Sequence, residues 1–583
     1  MKSLIKSLLA LSVSAAMLPV QAEEAVSYQI QELTAIDDVV NTYGVQQTNI
    51  GKAVVAGQTT YNFPIQFQYL DEDDFDSIVA YSVRNEESIF ELVKIEGDSE
   101  TLLRAGTPDA NGLAWALRWL RSLSGATYQK YGDAYVYVYD NNSQQSTQLN
   151  VFDKPFPNTD ILTRSTTDVA QGMTDDGWVF GYSSAPYLPL EPFDAGGDEP
   201  VVYWVSEFSQ RGWISFDGQT VVGLTPLEDK YGGISAMFDV NSHRQAVGVS
   251  SVALNPNTLE NIEAEGEVCD ENADDYPKEV CIQLQRSSLY YSNAVMWQLD
   301  QSGSITDIID LGTGVTNIDE DDERPYTSAA TSINDDGLIV GYSHFWWDRN
   351  ESNPSKTERV GQFAAVFRDS EVIDFTDREN YFESRALDIN NQGMFTGYMS
   401  TYVNGKQRTK FFYANANDET ITPIFPTDFF KGSASYPHAI NENNIIVGEG
   451  EVETFIDSAQ TPRRRHGFLY DIDSDSFYDV NQFLSCDDQQ RYTIVEARDI
   501  NENNEILATA WVEVDKRDVK GDVVDGEVDN VLRAVYLTPV GVDGAFTVND
   551  CREELGQTVE RKGAGMGLWS LLLLAIAGLR RRM

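Results

Sequence analysis

Apolar residues in this chain come in short runs broken by polar turns, and one such unit recurs. Its cleanest copy is Ser332-Ile333-Asn334-Asp335-Asp336-Gly337-Leu338-Ile339-Val340-Gly341-Tyr342-Ser343. Further copies run from Gly172 to Gly181, Phe238 to Gly248, Leu387 to Gly397 and His438 to Gly448, and from Arg498 to Ala508, where alanine replaces the closing glycine. A degenerate copy with different spacing lies between Tyr43 and Gly57. Apolar runs this short, bounded by Asn, Asp and Gly, predict strands joined by tight hairpins. Asn or Asp opens a type I turn by bonding its own backbone two residues on, and Gly at the fourth position supplies positive φ. Asn444 and Asn504 replace that Gly tolerably, whereas Arg244 breaks the rule.

Each copy is followed by a second apolar pair, such as Asn293–Leu299 with Ser304–Ile309, or Ala364–Arg368. Two hairpins per repeat make four short strands, which is one propeller blade. The expectation is an all-β protein, a β-propeller of six or seven four-stranded blades, with a stacked β-solenoid as the rival. A bare blade needs roughly 40–50 residues, so the long Gly248–Gly341 interval carries an insertion. Leu113–Leu123 reads as one short helix, with Trp115, Leu117, Trp119 and Leu120 available to pack on the propeller face. A propeller must join its ends, and Ser27–Leu33 is the segment able to lend a strand to the last blade.

The Ile-Asn-x-x-Gly-x-Ile-Val-Gly-Tyr-Ser pattern resembles the HAF repeat of bacterial extracellular proteins. Over about residues 25–540, length and repeat placement resemble an uncharacterised proteobacterial family catalogued as domain of unknown function 3466. That resemblance implies the fold and export and brings no known activity with it. The chain opens with a basic, then apolar segment ending Val20-Gln21-Ala22, the layout of a secretory signal cut after Ala22. It closes with Gly563-Ala564-Gly565, the apolar stretch Leu568–Leu579 and Arg580-Arg581-Arg582. This end is similar to the GlyGly-CTERM sorting tail, which implies a rhomboid-type protease (rhombosortase) as a processing partner and the cell surface as destination. Ala564 interrupts the usual glycine pair. The organisation expected is therefore a signal peptide at 1–22, a repeat domain at 23–560 and a sorting or transmembrane tail at 561–583, touching the membrane only before processing.

With 92 Asp and Glu against 42 Lys and Arg, the net charge is −50. Nucleic acid and anionic membrane surfaces need basic patches and are excluded as partners. Four cysteines in an exported chain imply two disulfides. Three pairings are possible; Cys269–Cys281, stapling the long insertion, and Cys486–Cys551, tying the last blade, are preferred.

Chemistry is harder to find. No nucleophile elbow, zinc helix, phosphate loop or dinucleotide fingerprint occurs, and His243, His344, His438 and His466 do not pair at ligand spacing. Alternating acids at Asp471, Asp473, Asp475 and Asp479 suggest a blade turn first and a Ca2+ loop second, since the glycine and final glutamate of an EF-hand are missing. No other cofactor is called for. Phe345-Trp346-Trp347, just beyond a hairpin, is the candidate ligand platform, with inter-blade packing as its alternative. These readings lead to an exported, surface-sorted propeller that binds an extracellular protein or glycan without catalysis. Its rivals are a polymer-degrading hydrolase or lyase using carboxylates in the funnel, and an envelope scaffold. Intact-mass analysis of the protein from native cell fractions should show loss at both ends and recovery from the surface. Retention of Leu568–Met583 in an inner-membrane fraction would refute sorting.

Overall fold

The computed structural model describes residues 27–551 except 35, 90, 198, 320, 349–356, 456, 459–460, 541–545 and 550. The proposed signal peptide, the sorting tail, and Ala22, Gly563, Ala564 and Gly565 lie outside the described residues.

Every repeat turn forms. Asn334 Oδ1 accepts the Leu338 N–H at 2.9 Å, while its carbonyl accepts the Gly337 N–H at 3.0 Å. Gly337 sits at φ 79°, and Asn444, Asn504 and even Arg244 take the same left-handed conformation at 58°, 58° and 61°. Arg244 is braced there by its guanidinium lying 5.4 Å from the Trp178 ring. The closing glycine has a different cause. Opposite it the first strand of the blade bulges, as between Ala330 and Ser332, and a Cβ on Gly341 would overlap the Ala329 carbonyl oxygen. In the degenerate copy the glycine has changed strand: Gly44 faces Val55 across the same bulge.

Seven antiparallel sheets result, and each begins with one of these strands: Val39–Gln47, Asp168–Met173, Ser235–Val240, Ser328–Ile333, Glu383–Ile389, Ser435–Ile440 and Tyr492–Ile500. Each innermost strand touches the next, and the seventh touches the first, so the sheets are blades of a closed ring. The degenerate copy is blade 1, and the solenoid alternative is excluded. Blade 5 keeps three full strands, with a single bridge from Tyr413 to Ile424 at its outer edge. The core is divided into seven inter-blade layers. Val340, Ala364, Phe395 and Phe412 fill the layer between blades 4 and 5, and Val447, Leu469, Ile494 and Ala508 the layer between 6 and 7.

Hydrogen bonds cross the same interfaces. The buried turn amides form a girdle: Asn241 Nδ2 donates to the Asn334 carbonyl (3.0 Å), Asn334 to Asn390 (3.1 Å), Asn390 to Asn441 (3.0 Å), Asn441 to Asn501 (3.0 Å) and Asn501 to Thr48 (3.4 Å). One residue further on, the backbone N–H of six blades donates to the next blade's side chain, as from Glu442 to Glu502 (3.0 Å) and from Glu502 to Asn49 (2.9 Å). Higher in the ring, buried Ser328, Ser384 and Ser435 hydroxyls accept N–H groups of Ala294, Ala364 and Phe411 in the preceding blades.

The ends meet as expected. Tyr28–Glu32 pairs antiparallel with Val523–Pro539 and completes blade 7. The following chain folds back over that strand, where Phe546 stacks with Tyr28 and Phe483. The disulfide Cys486–Cys551 clasps it; Cys269 pairs with Cys281. The helical content exceeds the single helix expected. Ala110–Arg121 forms with Asp109 as its N-cap, and packs Trp115, Trp119 and Leu120 against Glu72–Asn85 and Asp98–Arg104. A second group, Pro256–Glu263, Val268–Glu271 and Lys278–Leu289, holds the Cys269–Cys281 bridge. These helices are short, from four to fourteen residues, and mutual packing holds them.

Alternation of strand direction puts the repeat turns on one face, and places both helical groups on the other as second-to-third-strand connections. Asn441→Ala removes the acceptor for two turn N–H groups and two inter-blade donor bonds. It should cost about 2–3 kcal/mol in urea unfolding, whereas exposed Asn443→Ala should cost under about 1 kcal/mol.

Candidate functional site

A channel runs down the ring axis, narrowed where the residue two before each turn position points inward. In blade order these are Gln46, Gly172, Asp239, Ser332, Asp388, Ala439 and Asp499. Long acceptors alternate with small residues because each acceptor reaches across its neighbour to a backbone N–H of the next blade. Gln46 takes that of Met173 (2.7 Å), Asp239 that of Ile333 (2.9 Å), Asp388 that of Ile440 (2.8 Å) and Asp499 that of Gln47 (2.8 Å). A Cβ on Gly172 would collide with Gln46 Oε1. Seven is odd, so Asp499 and Gln46 stand side by side. Ser332 Oγ also bridges Asp239 (2.7 Å) and Asp388 (3.0 Å).

This layer separates two cavities. The one on the turn face, about 520 Å³, is rimmed by Asp175, Asp335, Glu442 and Glu502. The other, about 460 Å³, is a funnel opening on the insertion-bearing face. Into it project His438 and Arg498, three before the turn, and Arg385 and Tyr436, five before it; Glu496, also five before, contacts His438 and Arg498 without lining the cavity. Tyr182 and Tyr342 join the lining from the second strands. Arg498 Nη1 donates to His438 Nδ1 at 2.8 Å, so the ring proton sits on Nε2, 3.0 Å from Glu496 Oε1. Arg385 lies 4.3 Å from the Tyr342 ring, and is further held by Gln362 (3.3 Å) and Glu383 (3.6 Å). Tyr398 and Tyr436 rings lie 4.7 Å apart.

The electrostatics divide by depth. Burial pushes Asp388 and Asp499 up to about 7 against the N–H bonds that favour their ionised forms, and raises Asp239 likewise. Burial would raise Glu496 too, but His438 and Arg498 outweigh it and hold that carboxyl down at about 2. Glu496 is therefore always a carboxylate at neutral pH. Of the His438 nitrogens, Nδ1 is taken by Arg498, while Nε2 lies within ion-pair distance of Glu496 but makes no hydrogen bond among the described residues.

The residues singled out in the sequence lie elsewhere. Phe345 and Trp346 are buried in blade 4 and its flank, and Trp347, half-buried, carries Arg359 stacked 3.4 Å above it. Asp471 organises a turn by accepting the N–H groups of Asp473 and Ser474, Asp475 accepts the Tyr470 hydroxyl, and Asp479 pairs with His466. Among the described residues no group of three or more His, Cys, Asp or Glu is placed to hold a metal ion. No described helix is long and apolar enough to cross a membrane. His438 and Arg498 were missed because they occupy bulge positions; aligning the copies would have exposed them where others carry Val45, Phe238 or Leu387.

The family described as protein of unknown function (DUF3466) matches residues 5–582. The chain belongs to that family. No curated protein matches it. Among solved structures it is similar to an oligogalacturonate lyase from Vibrio parahaemolyticus, at 9% identity over 90% of this chain and 99% of the other, with TM-score 0.35. It is also similar to the β-propeller domain of the Trilobed protease from Pyrococcus furiosus (10% identity, 68% and 86% covered, TM-score 0.32). A third is a Trypanosoma rangeli sialidase (10%, 69% and 56%, TM-score 0.28). None of these likenesses carries chemistry to this family member; its propeller rests on its own strand pairing.

The raised Asp388 and Asp499 fix the sign of a pH effect. Unfolded carboxyls titrate near ~4, so the folded state binds these protons more tightly; its stability is full below ~4 and is lost as pH rises through about 7. Glu496 acts oppositely, adding stability above ~4.3 that is lost as pH falls toward about 2. The melting temperature should therefore fall between pH 5 and 8, and Asp388→Asn should flatten that fall. An unchanged slope would contradict the assignment.

Proposed function

We propose that this protein is a non-catalytic binding propeller, exported and displayed outside the cell, with its ligand seated in the funnel. The observation that carries this reading is the mutual engagement of the funnel's titratable groups. Arg498 donates to His438 and both lie within ion-pair distance of Glu496, the acids of the floor are spent on inter-blade N–H groups, and tyrosine faces stand beside them. Tyr182, Tyr342 and Tyr436 can stack on pyranose rings, and Arg385, Arg498 and Gln171 can bond sugar hydroxyls. An extracellular glycan is the ligand class this lining suits. The cations here are matched by Glu383 and Glu496, and the floor is acidic, which favours a neutral glycan over a polyanion.

Glycan-array screening of the purified protein tests this. A bound glycan should lose at least about tenfold in affinity, or ~1.4 kcal/mol, on Tyr436→Ala and on Arg498→Gln. Mass spectrometry should recover it uncleaved after incubation. Cleavage that disappears in His438→Asn would replace this reading with a polymer-degrading enzyme. Binding indifferent to both funnel substitutions would move the seat elsewhere.

A further inference from the structure

A larger cavity, about 690 Å³, lies away from the channel, where the first helical group meets the connection between blades 1 and 2 and the hairpin tip of blade 7. Phe63, Ile65, Phe67 and Leu113 supply an apolar wall, and Ile161, half exposed, forms part of its rim. Two cations from distant segments line it: Arg164, from the inter-blade connection, and Lys520, from the hairpin tip.

Neither has an ion pair among the described residues. The Arg164 guanidinium rests 5.2 Å from the Tyr135 ring and reaches Gln148 Oε1 only at 3.4 Å; its backbone is held at φ 51°. Lys520 Nζ donates to the Pro108 carbonyl at 2.7 Å. Asp38 also lines the cavity, but accepts the Tyr137 hydroxyl at 2.7 Å. Two cations thus line one cavity without carboxylate partners among the described residues, in a chain with 92 acidic and 42 basic residues. A partly buried guanidinium forgoes hydration that a charge-assisted bond would restore, and a cationic end beside apolar walls matches a molecule with an anionic head and an apolar body. Asp38 and the net charge of −50 oppose a multiply charged head.

We propose that this cavity binds an amphipathic monocarboxylate, its head between Arg164 and Lys520 and its body against Phe63, Phe67 and Leu113. The site is independent of the funnel, and its volume falls within the range of ordinary small-molecule pockets. Isothermal titration of the full protein with sodium decanoate at pH 7 tests it, with 1-decanol as the uncharged match. Decanoate should bind once per chain, at least tenfold more tightly than decanol, and weaken at least tenfold in both Arg164→Gln and Lys520→Gln. Lys520→Gln, at an exposed hairpin, keeps the test valid if Arg164→Gln disturbs folding. Absent decanoate binding, equal binding of decanol, or affinity unchanged in folded variants would overturn the proposal.

Discussion

The girdle of turn amides is the interaction on which the rest of this structure depends. Each blade is a twisted meander whose innermost turn is buried against its neighbours, and a buried turn leaves backbone groups that must find partners. In five of the seven blades, with Thr48 and Thr174 at that position in the other two, asparagine meets both needs at once. Its side-chain oxygen satisfies N–H groups within its own turn, and its amide donates to the carbonyl of the next turn. A blade placed at the wrong angle or height would break bonds on both sides. The hydrophobic layers are non-directional and favour contact; the girdle specifies which contact.

Closure of that ring also creates the channel and decides what can stand in it. Seven inward positions crowd one level, and the space suffices only if long acceptors reach over small neighbours. Gly172, Ser332 and Ala439 are small for that reason, and Gln46, Asp239, Asp388 and Asp499 are acceptors because the next blade presents an N–H there. The acids at this level are structural groups whose burial raises them. The funnel above differs because His438 and Arg498 come from the bulges, where side chains are released from ladder pairing, while Arg385 and Tyr436 come from paired positions beside them.

The placement of insertions reinforces this division. The turn face is tied down by the girdle and by the ring of bonds one residue beyond it, and cannot accept extra chain without breaking them. The opposite face carries both helical groups, and they join into a wall. Trp204 in blade 2 donates its backbone N–H to Ala126 at 2.6 Å, and Arg286 from the second group reaches the Ser206 carbonyl at 2.6 Å. Lys520 links the first group to blade 7. Variation is thus confined to the face on which the funnel and the second cavity open.

The sequence by itself determined the blade. Turn asparagines, the left-handed fourth position, the short apolar runs and the closing N-terminal strand are local features, set by backbone sterics and period-two patterning, and they are legible without coordinates. It also determined the acidic character of the chain, and the preferred cysteine pairing matches the disulfides formed. Tertiary structure alone decided that there are seven blades, that the closing glycine answers a bulge in another strand, and that Phe345 and Trp346 are core. It alone brought His438, Arg498, Glu496 and Arg385 together, from blades whose copies differ at those positions. The reason is physical: a turn is fixed by interactions within a few residues, whereas a channel lining is fixed by the closure of a ring whose members lie far apart in the chain.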